Sequence, residues 1–383
     1  MRLAAAITLL LAVQSAGASP PKPVREINLN QIVPGHPEFD SAVLTFSPDE
    51  KWIAIVGSHN FHPGRGPAHA NPSGSAGVFL VPLNGPVDRR IQIDPGLYSA
   101  EGAVWSPNSD SLFVQGIGAG NSLGPNARLT VKLFNLRGEE FLRHDEPLKD
   151  PRVRMFGFLD TEHLLAGGIL SKRTVGLETI DLQGQVVDTW TPPKQWRVVD
   201  MSPDRHLLAV LSDDPATKTL VVDYPSKKVI LTKDNSYPDL SLGGGYRETS
   251  QFFTEGGKTL CSVGSAQMNE PRFDVATECW NVDSGKSIAK FDGFPGGAPA
   301  AASSRGSRLI LTHYTVVRGT VSGGYLGAEY VVWDFRSGAQ VAAWKPQQST
   351  TRIPPRLSGI AISSTGRYVA EIAGDVLRIY ELP

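Results

Sequence analysis

One short pattern recurs seven times between Ala42 and Glu371: an apolar run, a tight polar turn and a second apolar run. The segments 44–55 and 104–114 are its clearest copies, and both carry Ser-Pro at the start of the turn. The seven turns begin at Ser47, Ser106, Phe158, Ser202, Thr254, Ser303 and Ser363. Neighbouring copies start about 44 to 60 residues apart, and strand-forming repeats of this length are typical of propellers, solenoids and arrays.

The fourth copy is the most compact and shows how one repeat folds. Four apolar runs follow one another at 198–201, 207–211, 219–223 and 229–232, separated by turn-forming segments such as Ser-Pro-Asp-Arg and Tyr-Pro-Ser-Lys. Short strands joined by such turns predict a four-stranded antiparallel meander, which is the blade of a β-propeller. The sequence therefore predicts an all-β protein, a seven-bladed β-propeller of four-stranded antiparallel blades.

The seventh copy lacks a fourth strand, because its third strand runs into the last residue, Pro383. Near the other end of the chain, residues 24–33 alternate as a strand does but have no blade of their own. We predict that this N-terminal strand completes the last blade and closes the ring, which removes two exposed sheet edges. An open array with a free N-terminal tail is the alternative.

The first eighteen residues have the composition of an export signal. A positive start at Arg2 precedes an apolar run over 3–13 that is too short to span a bilayer, and Ala16-Gly17-Ala18 is a small-residue cleavage site. We predict a signal peptide over 1–18 and a single propeller domain over 19–383. The protein would be exported and soluble, in a periplasm or outside the cell.

Overall charge limits the classes of partner. The formal net charge is -1, which argues against binding to nucleic acid or to anionic membranes. No segment of the predicted mature chain is long and apolar enough to span a membrane.

The sequence contains two cysteine residues, Cys261 and Cys279, both in the fifth repeat and on neighbouring predicted strands. In an exported protein they are a possible disulfide, and two buried thiols are the alternative.

The repeats resemble those of the WD-repeat propellers. Gly35-His36 precedes the first Ser-Pro-Asp turn, Trp333-Asp334 ends a third strand, and Trp280-Asn281 is a near copy of that ending. Gly-His and Trp-Asp fall in different repeats, so the hydrogen-bonded tetrad of that family is not complete in any one blade. The resemblance implies the propeller fold over about residues 24 to 383 and does not imply the partners of eukaryotic WD-repeat proteins.

Antiparallel meanders sort the connections to the two ends of the ring. The turns from first to second and from third to fourth strand share one end, which we call the turn end. Every long predicted loop falls at the other end, the loop end: 58–77, 116–127, 264–274 and 314–329 within blades, and 233–246 and 345–356 between blades. Long loops in a compact domain are frequently functional, although insertions there are also well tolerated.

Charged and aromatic residues mark the loop end as a candidate binding surface at the mouth of the central channel. They are Asp40, Glu101, Arg197, Arg247, Arg356, Tyr246 and Tyr325. Arginine and carboxylate groups from different blades are able to orient a polar ligand, and a ring of inter-blade salt bridges is the alternative. Three histidine residues of one predicted loop, His59, His62 and His69, are candidate metal ligands, with solvated side chains as the alternative.

Two functions remain open at this point. The first is a scaffold that binds a protein, a peptide or an envelope component at the loop end, and it fits a chain without a nucleophile motif. The second is a propeller-type enzyme, such as a lactonase, a quinone-dependent dehydrogenase or a hydrolase, with its site at the channel mouth. A metal is the possible cofactor, and the sequence indicates no other.

Overall fold

The structure is a computed structural model that describes fourteen segments of the chain. They are residues 21–32, 41–58, 76–118, 128–147, 153–170, 173–194, 196–212, 218–234, 247–267, 273–295, 297–316, 325–345, 359–373 and 376–383.

Within these segments, twenty-eight strands make up nearly all of the regular structure. Blades 1 to 3 contain β2 (Ser41–Phe46), β3 (Trp52–Ser58), β4 (Ala76–Pro82) and β5 (Ile91–Ile93); β6 (Leu97–Trp105), β7 (Ser111–Gly118), β8 (Arg128–Asn135) and β9 (Glu140–Pro147); and β10 (Val153–Phe158), β11 (His163–Leu170), β12 (Arg173–Asp181) and β13 (Val186–Trp190). Blades 4 and 5 contain β14 (Trp196–Met201), β15 (Leu207–Ser212), β16 (Lys218–Asp223) and β17 (Lys228–Asp234); and β18 (Arg247–Thr254), β19 (Thr259–Gln267), β20 (Phe273–Asn281) and β21 (Ser287–Pro295). Blades 6 and 7 contain β22 (Gly297–Ala302), β23 (Arg308–Val316), β24 (Tyr325–Asp334) and β25 (Ala339–Trp344); and β26 (Ile360–Ile362), β27 (Tyr368–Ala373), β28 (Val376–Glu381) and β1 (Pro23–Asn28).

The strands form seven separate four-stranded antiparallel sheets. Within blades 1 to 6 the strands follow one another in sequence order, as a meander requires. The first strand of one blade lies beside the next blade at the centre of the ring, where β2 contacts both β26 and β6. The predicted fold class, a seven-bladed β-propeller of four-stranded blades, is confirmed.

The N-terminal strand closes the ring, as predicted. β1 pairs antiparallel with β28, with Ile27 opposite Leu377 and Asn28 opposite Val376. Arg25 then joins this last blade to blade 1: its Nη1 atom donates to the carbonyl oxygen atoms of Pro82 at 2.6 Å and Leu83 at 2.8 Å. The closing strand therefore bonds one blade through its backbone and the next through a side chain.

The closing strand is shorter than predicted. It ends at Asn28, and Leu29–Ile32 form a single turn of α-helix, so the prediction of a strand over 24–33 was wrong at its C-terminal end. Leu29 and Ile32 are both fully buried. Residues three apart point to opposite faces of a strand but to the same side of a helix, so the helical turn buries both against blade 1.

The hydrophobic core is divided among the seams between neighbouring blades. Residues of blades 7 and 1 pack together around Ile27, Ile55 and Leu377, and those of blades 1 and 2 around Leu80, Trp105 and Leu112. Similar clusters fill the remaining five seams. Because every blade buries apolar side chains on both faces, no blade is expected to be stable alone.

One buried carboxylate crosses the seam between blades 6 and 7. Glu371 is 1% exposed, and its Oε2 atom accepts a hydrogen bond at 2.9 Å from Nε1 of Trp344. Its Oε1 atom accepts a hydrogen bond from the Tyr380 hydroxyl group, and Arg378 Nη1 lies 4.0 Å away. Burial, with a contribution from this carboxylate, raises the pKa of Tyr330 to about 12. Buried polar groups need such partners, so the cluster is a structural tie between the two blades.

Helices are confined to Leu29–Ile32 and two single turns of 3-10 helix, Val87–Arg89 and Glu255–Gly257, within the described segments. None of the helices described is long and apolar enough to cross a membrane.

Candidate functional site

The tight turn that opens each repeat is held by its first serine. In blade 1 the Ser47 hydroxyl oxygen accepts hydrogen bonds from the backbone N–H groups of Lys51 at 3.2 Å and Trp52 at 3.0 Å. The same hydroxyl group donates to Asp49 Oδ1 at 2.7 Å. Ser202 in blade 4 and Ser303 in blade 6 cap their turns with the same hydroxyl-to-backbone contact. The Ser-Pro-Asp pattern is therefore explained by turn geometry alone.

Neighbouring turns bond to each other at the turn end of the ring. The backbone N–H of Asp49 in blade 1 donates to Ser109 Oγ in blade 2 at 3.0 Å. Glu50 accepts from the backbone N–H of Thr365 in blade 7 at 2.7 Å. Although burial acts in the opposite direction, the hydrogen bonds to Glu50 hold its pKa below the usual value. Backbone bonds continue this chain of contacts into blades 5 and 6, where the N–H of Gly256 donates to the Ser304 carbonyl oxygen at 2.8 Å.

The loop end is built differently, because the chain leaves the described strands there for its longest connections. Residues 59–75 join β3 to β4, residues 119–127 join β7 to β8, and residues 235–246 join blade 4 to blade 5. Two predicted loops contain strand residues at both of their ends. Ala266 pairs with Asp274 within the predicted loop 264–274, and Thr315 pairs with Gly327 within the predicted loop 314–329.

These longer hairpins make the rim of the loop end uneven. β19 and β20 of blade 5 are each nine residues long, whereas β15 and β16 of blade 4 are each six. β23 and β24 of blade 6 have nine and ten residues, and β27 and β28 of blade 7 have six each. The strands of all four blades start from similar tight turns, so the extra residues lie at the loop end. At about 3.3 Å per residue, blades 5 and 6 rise roughly 10 Å above their neighbours.

The residues predicted to bind a ligand fall into three groups. Asp40, Tyr246 and Arg356 lie outside the described residues. Glu101, Arg247 and Tyr325 lie on strands β6, β18 and β24, and only their backbone is described. Arg197, near the start of β14 and opposite Leu211, is half-buried, and its buried Nε atom has no hydrogen-bond partner among the described residues.

The predicted metal ligands His59, His62 and His69 also lie outside the described residues. Elsewhere, the fourteen segments contain no group of three or more His, Cys, Asp or Glu side chains placed to hold a metal ion.

The two cysteine residues meet in the seam between blades 5 and 6. Cys261 on β19 lies directly opposite Cys279 on β20, and a disulfide bond joins them. Both residues are completely buried, and they pack with Leu309 and Phe335 of blade 6. The disulfide thus forms part of the apolar core of this seam.

A cavity that the sequence did not predict opens at the turn end of the channel. It has a volume of about 400 Å³ and is lined by residues of blades 1, 2, 4, 6 and 7, among them Phe46, Val104, Arg205 and Ile362. A second cavity of about 240 Å³ adjoins it, and Arg205 lines both. The feature of the sequence that could have indicated this cavity is Arg205 at the end of a Ser-Pro-Asp turn. A charged side chain at such a position is usually solvated, so it did not mark a site.

Comparison with solved structures shows what fold the chain has. It is similar to a chain in the crystal structure of a mitotic checkpoint complex, with a TM-score of 0.54 and 14% identity, over 100% of this chain and 99% of that one. It is also similar to a chain of Kuenenia stuttgartiensis hydrazine synthase, with a TM-score of 0.53 and 14% identity, over 92% of this chain and 98% of that one. No family model matches the sequence, and no curated protein does. At identities this low, the likeness shows a shared fold alone.

Proposed function

We propose that this chain, a WD-repeat-like seven-bladed β-propeller, is an exported scaffold without enzymatic activity that binds a protein, a peptide or an envelope component. Its binding surface is the loop end, around the mouth of the channel. Residues 1–18 are the signal peptide in this proposal, and residues 19–383 form one propeller domain that is soluble in a periplasm or outside the cell.

The unequal length of the strands is the observation that carries the proposal. The turn end is bonded from blade to blade and carries short connections, so it offers little chain for adaptation to a partner. At the opposite end, blades 5 and 6 rise above blades 4 and 7, and residues 235–246, which connect β17 to β18, are one of the longer connections of the chain. A raised wall beside a channel mouth provides the concave surface on which recognition usually depends.

The side chains proposed to recognise the partner are those that the sequence places at this end. Arg197 has a buried Nε atom without a hydrogen-bond partner among the described residues, so a ligand carboxylate or carbonyl group would satisfy it. Asp40, Glu101, Arg247 and Arg356 would supply the remaining charged contacts. Tyr246 and Tyr325 would supply aromatic contacts, which are enriched at protein interfaces.

A pair of matched variants tests this proposal. Purified protein is immobilised and incubated with the exported fraction of its source cells, and retained components are identified by mass spectrometry. We expect Arg197→Ala, at the loop end, to lose a component that the wild type retains. Arg137→Ala, the same change at an exposed turn-end arginine, should retain it. Recovery of no reproducible component by the wild type, or equal recovery by both variants, would overturn the proposal. Export is tested separately, because the mature protein should begin at Ser19.

A propeller-type enzyme is the second candidate, and the likeness to a chain of hydrazine synthase favours it at the level of fold. A lactonase, a quinone-dependent dehydrogenase or a hydrolase of this type would place its site at the channel mouth, with His59, His62 and His69 as metal ligands. Elemental analysis of the purified protein separates the two candidates. A stoichiometric metal that disappears in the His59→Ala, His62→Ala double variant would favour the enzyme, and a metal-free protein that still binds its partner would favour the scaffold.

A further inference from the structure

Arg205 occupies a backbone position that is unfavourable for an arginine. It ends the Ser-Pro-Asp-Arg turn of blade 4 with a φ of 68°, in the left-handed region that side chains with a Cβ atom rarely adopt. Gly366 fills the corresponding position of blade 7 with a φ of 81°. Glycine avoids the steric conflict there, so a larger residue at this position needs a compensating contact.

Blades 1 and 2 show what such a contact is. Glu50, with a φ of 57°, accepts hydrogen bonds from the backbone N–H of Thr365 at 2.7 Å and from its hydroxyl group at 2.8 Å. Ser109, with a φ of 64°, accepts one from the backbone N–H of Asp49 at 3.0 Å. In both blades the side chain at this position bonds to the preceding blade.

Arg205 has no equivalent bond. Its side chain reaches the preceding blade, since a methyl group added at Gly157 of blade 3 would lie 3.8 Å from its Nη1 atom. The guanidinium group makes no hydrogen bond and no ion pair with any residue that the structure describes, and its Nε atom is buried without a partner. Burial lowers the pKa of Arg205, although Asp200 and Asp204 act in the opposite direction.

The two neighbouring carboxylates are already engaged by other groups. Asp200 Oδ2 accepts a hydrogen bond from the backbone N–H of Phe253 at 2.8 Å. Asp204 Oδ1 accepts one from the Ser202 hydroxyl group within its own turn. They influence Arg205 electrostatically but leave its buried Nε–H donor without an acceptor, and a buried donor without an acceptor is costly.

The surroundings of the guanidinium group fit a ligand that is charged at one end and apolar at the other. Arg205 is the one charged residue among those found to line the 400 Å³ cavity. Leu44, Val104, Ala361 and Ile362 form apolar parts of a wall that also contains the polar residues Thr45, Ser304 and Ser364. A volume of this size is within the usual range for small-molecule sites, and an arginine fork matches a carboxylate group in a bidentate arrangement.

We propose that this cavity, at the turn end of the channel, binds a small organic monocarboxylate through Arg205. The carboxylate accepts hydrogen bonds from the guanidinium group, and the apolar part of the ligand lies against the apolar side chains of the wall, such as Val104 and Ile362. Asp200 and Asp204 disfavour ligands with several negative charges by like-charge repulsion, so inorganic phosphate should bind more weakly. The site is independent of the surface proposed above, because the two lie at opposite ends of the channel.

Isothermal titration calorimetry with defined probes tests the site. The probes are butyrate, the uncharged butyramide as its isostere, and inorganic phosphate. We expect wild-type protein to bind butyrate at least tenfold more tightly than butyramide or phosphate. Equal affinity for butyrate and butyramide, a preference for phosphate, or no heat with any probe would overturn the proposal.

Three variants locate the binding in the cavity. Arg205→Gly removes the charge and suits the positive φ, so the variant should fold at least as stably as the wild type while losing butyrate affinity by tenfold or more. Arg205→Lys should lose part of the affinity, since an ammonium group lacks the bidentate geometry. Arg137→Gln, at an exposed turn, should bind like the wild type. Unchanged butyrate binding by folded Arg205→Gly would show that the arginine has only a packing role.

Discussion

Replacing Ile27 with alanine tests whether the N-terminal strand closes the ring. Ile27 is 2% exposed, lies opposite Leu377 on β28 and packs into the cluster between blades 7 and 1. Val24 on the same strand is 57% exposed and therefore provides a matched control. If the ring is closed as described, truncation of the two side chains will have very different effects on stability.

The expected difference follows from burial. Truncating a buried isoleucine to alanine lowers the free energy of unfolding by about 2–5 kcal/mol, because transfer and cavity terms add. An exposed truncation changes it by about 0.5 kcal/mol or less. Natural domains have stabilities of about 5–15 kcal/mol, so the Ile27→Ala variant should unfold at a clearly lower denaturant concentration.

Titration with guanidinium chloride, monitored by tryptophan fluorescence, measures the unfolding midpoint, since the chain contains seven tryptophan residues. Ile27→Ala should shift the midpoint downward, and Val24→Ala should superimpose on the wild type. Size-exclusion chromatography of a variant lacking residues 21–32 should also show self-association, because the edge of β28 becomes free to pair with another chain. Equal midpoints for Ile27→Ala and Val24→Ala would refute ring closure and favour the open array.

Three further predictions concern other contacts between and within blades. Arg25→Lys should lower the free energy of unfolding by about 1–3 kcal/mol, because one ammonium group cannot replace the hydrogen bonds that the guanidinium group donates to blade 1. Glu371→Gln should lower the free energy of unfolding by about 1–3 kcal/mol, because an amide cannot accept hydrogen bonds from all the donors that face the carboxylate, including the Tyr380 hydroxyl group. The Cys261→Ala, Cys279→Ala double variant should lose roughly 2–4 kcal/mol, and dithiothreitol should not reduce the buried disulfide below the unfolding transition. Chemical denaturation measures the first two, and denaturation with and without reductant measures the third.

The first two of these predictions have a control on an exposed site. Arg89→Lys and Glu139→Gln change solvated side chains and should leave the midpoint unchanged. Alkylation of native protein should label neither cysteine residue. Loss of stability in the controls equal to that in the variants, or labelling of Cys261 in folded protein, would contradict the contacts described here.

The repeat pattern was sufficient to predict the number of blades, the strand order and the turn end. Ser47, Ser202 and Ser363 are all completely buried at the starts of their turns, because each serine hydroxyl group accepts backbone hydrogen bonds inside the turn. This requirement is local, so it leaves a mark in the sequence.

The features that the sequence did not predict depend on tertiary contacts. The segment 264–266 reads Gly-Ser-Ala and has no apolar alternation, yet it pairs with β20, because strand pairing is set by the partner strand and not by propensity alone. The end of β1 at Asn28 follows from the burial of Leu29 and Ile32 against another blade. The cavity beside Arg205 is formed by residues from five blades, and a linear sequence cannot show that they converge.

Hydrogen–deuterium exchange of the protein alone and with its retained partner would test the central claim, that recognition takes place at the loop end, most directly. Our account predicts slower exchange in the extended hairpins of blades 5 and 6, at 263–275 and 313–327, with no change in the tight turns at 47–52 and 363–368. Protection of those turns, with unchanged exchange in the two hairpins, would contradict it.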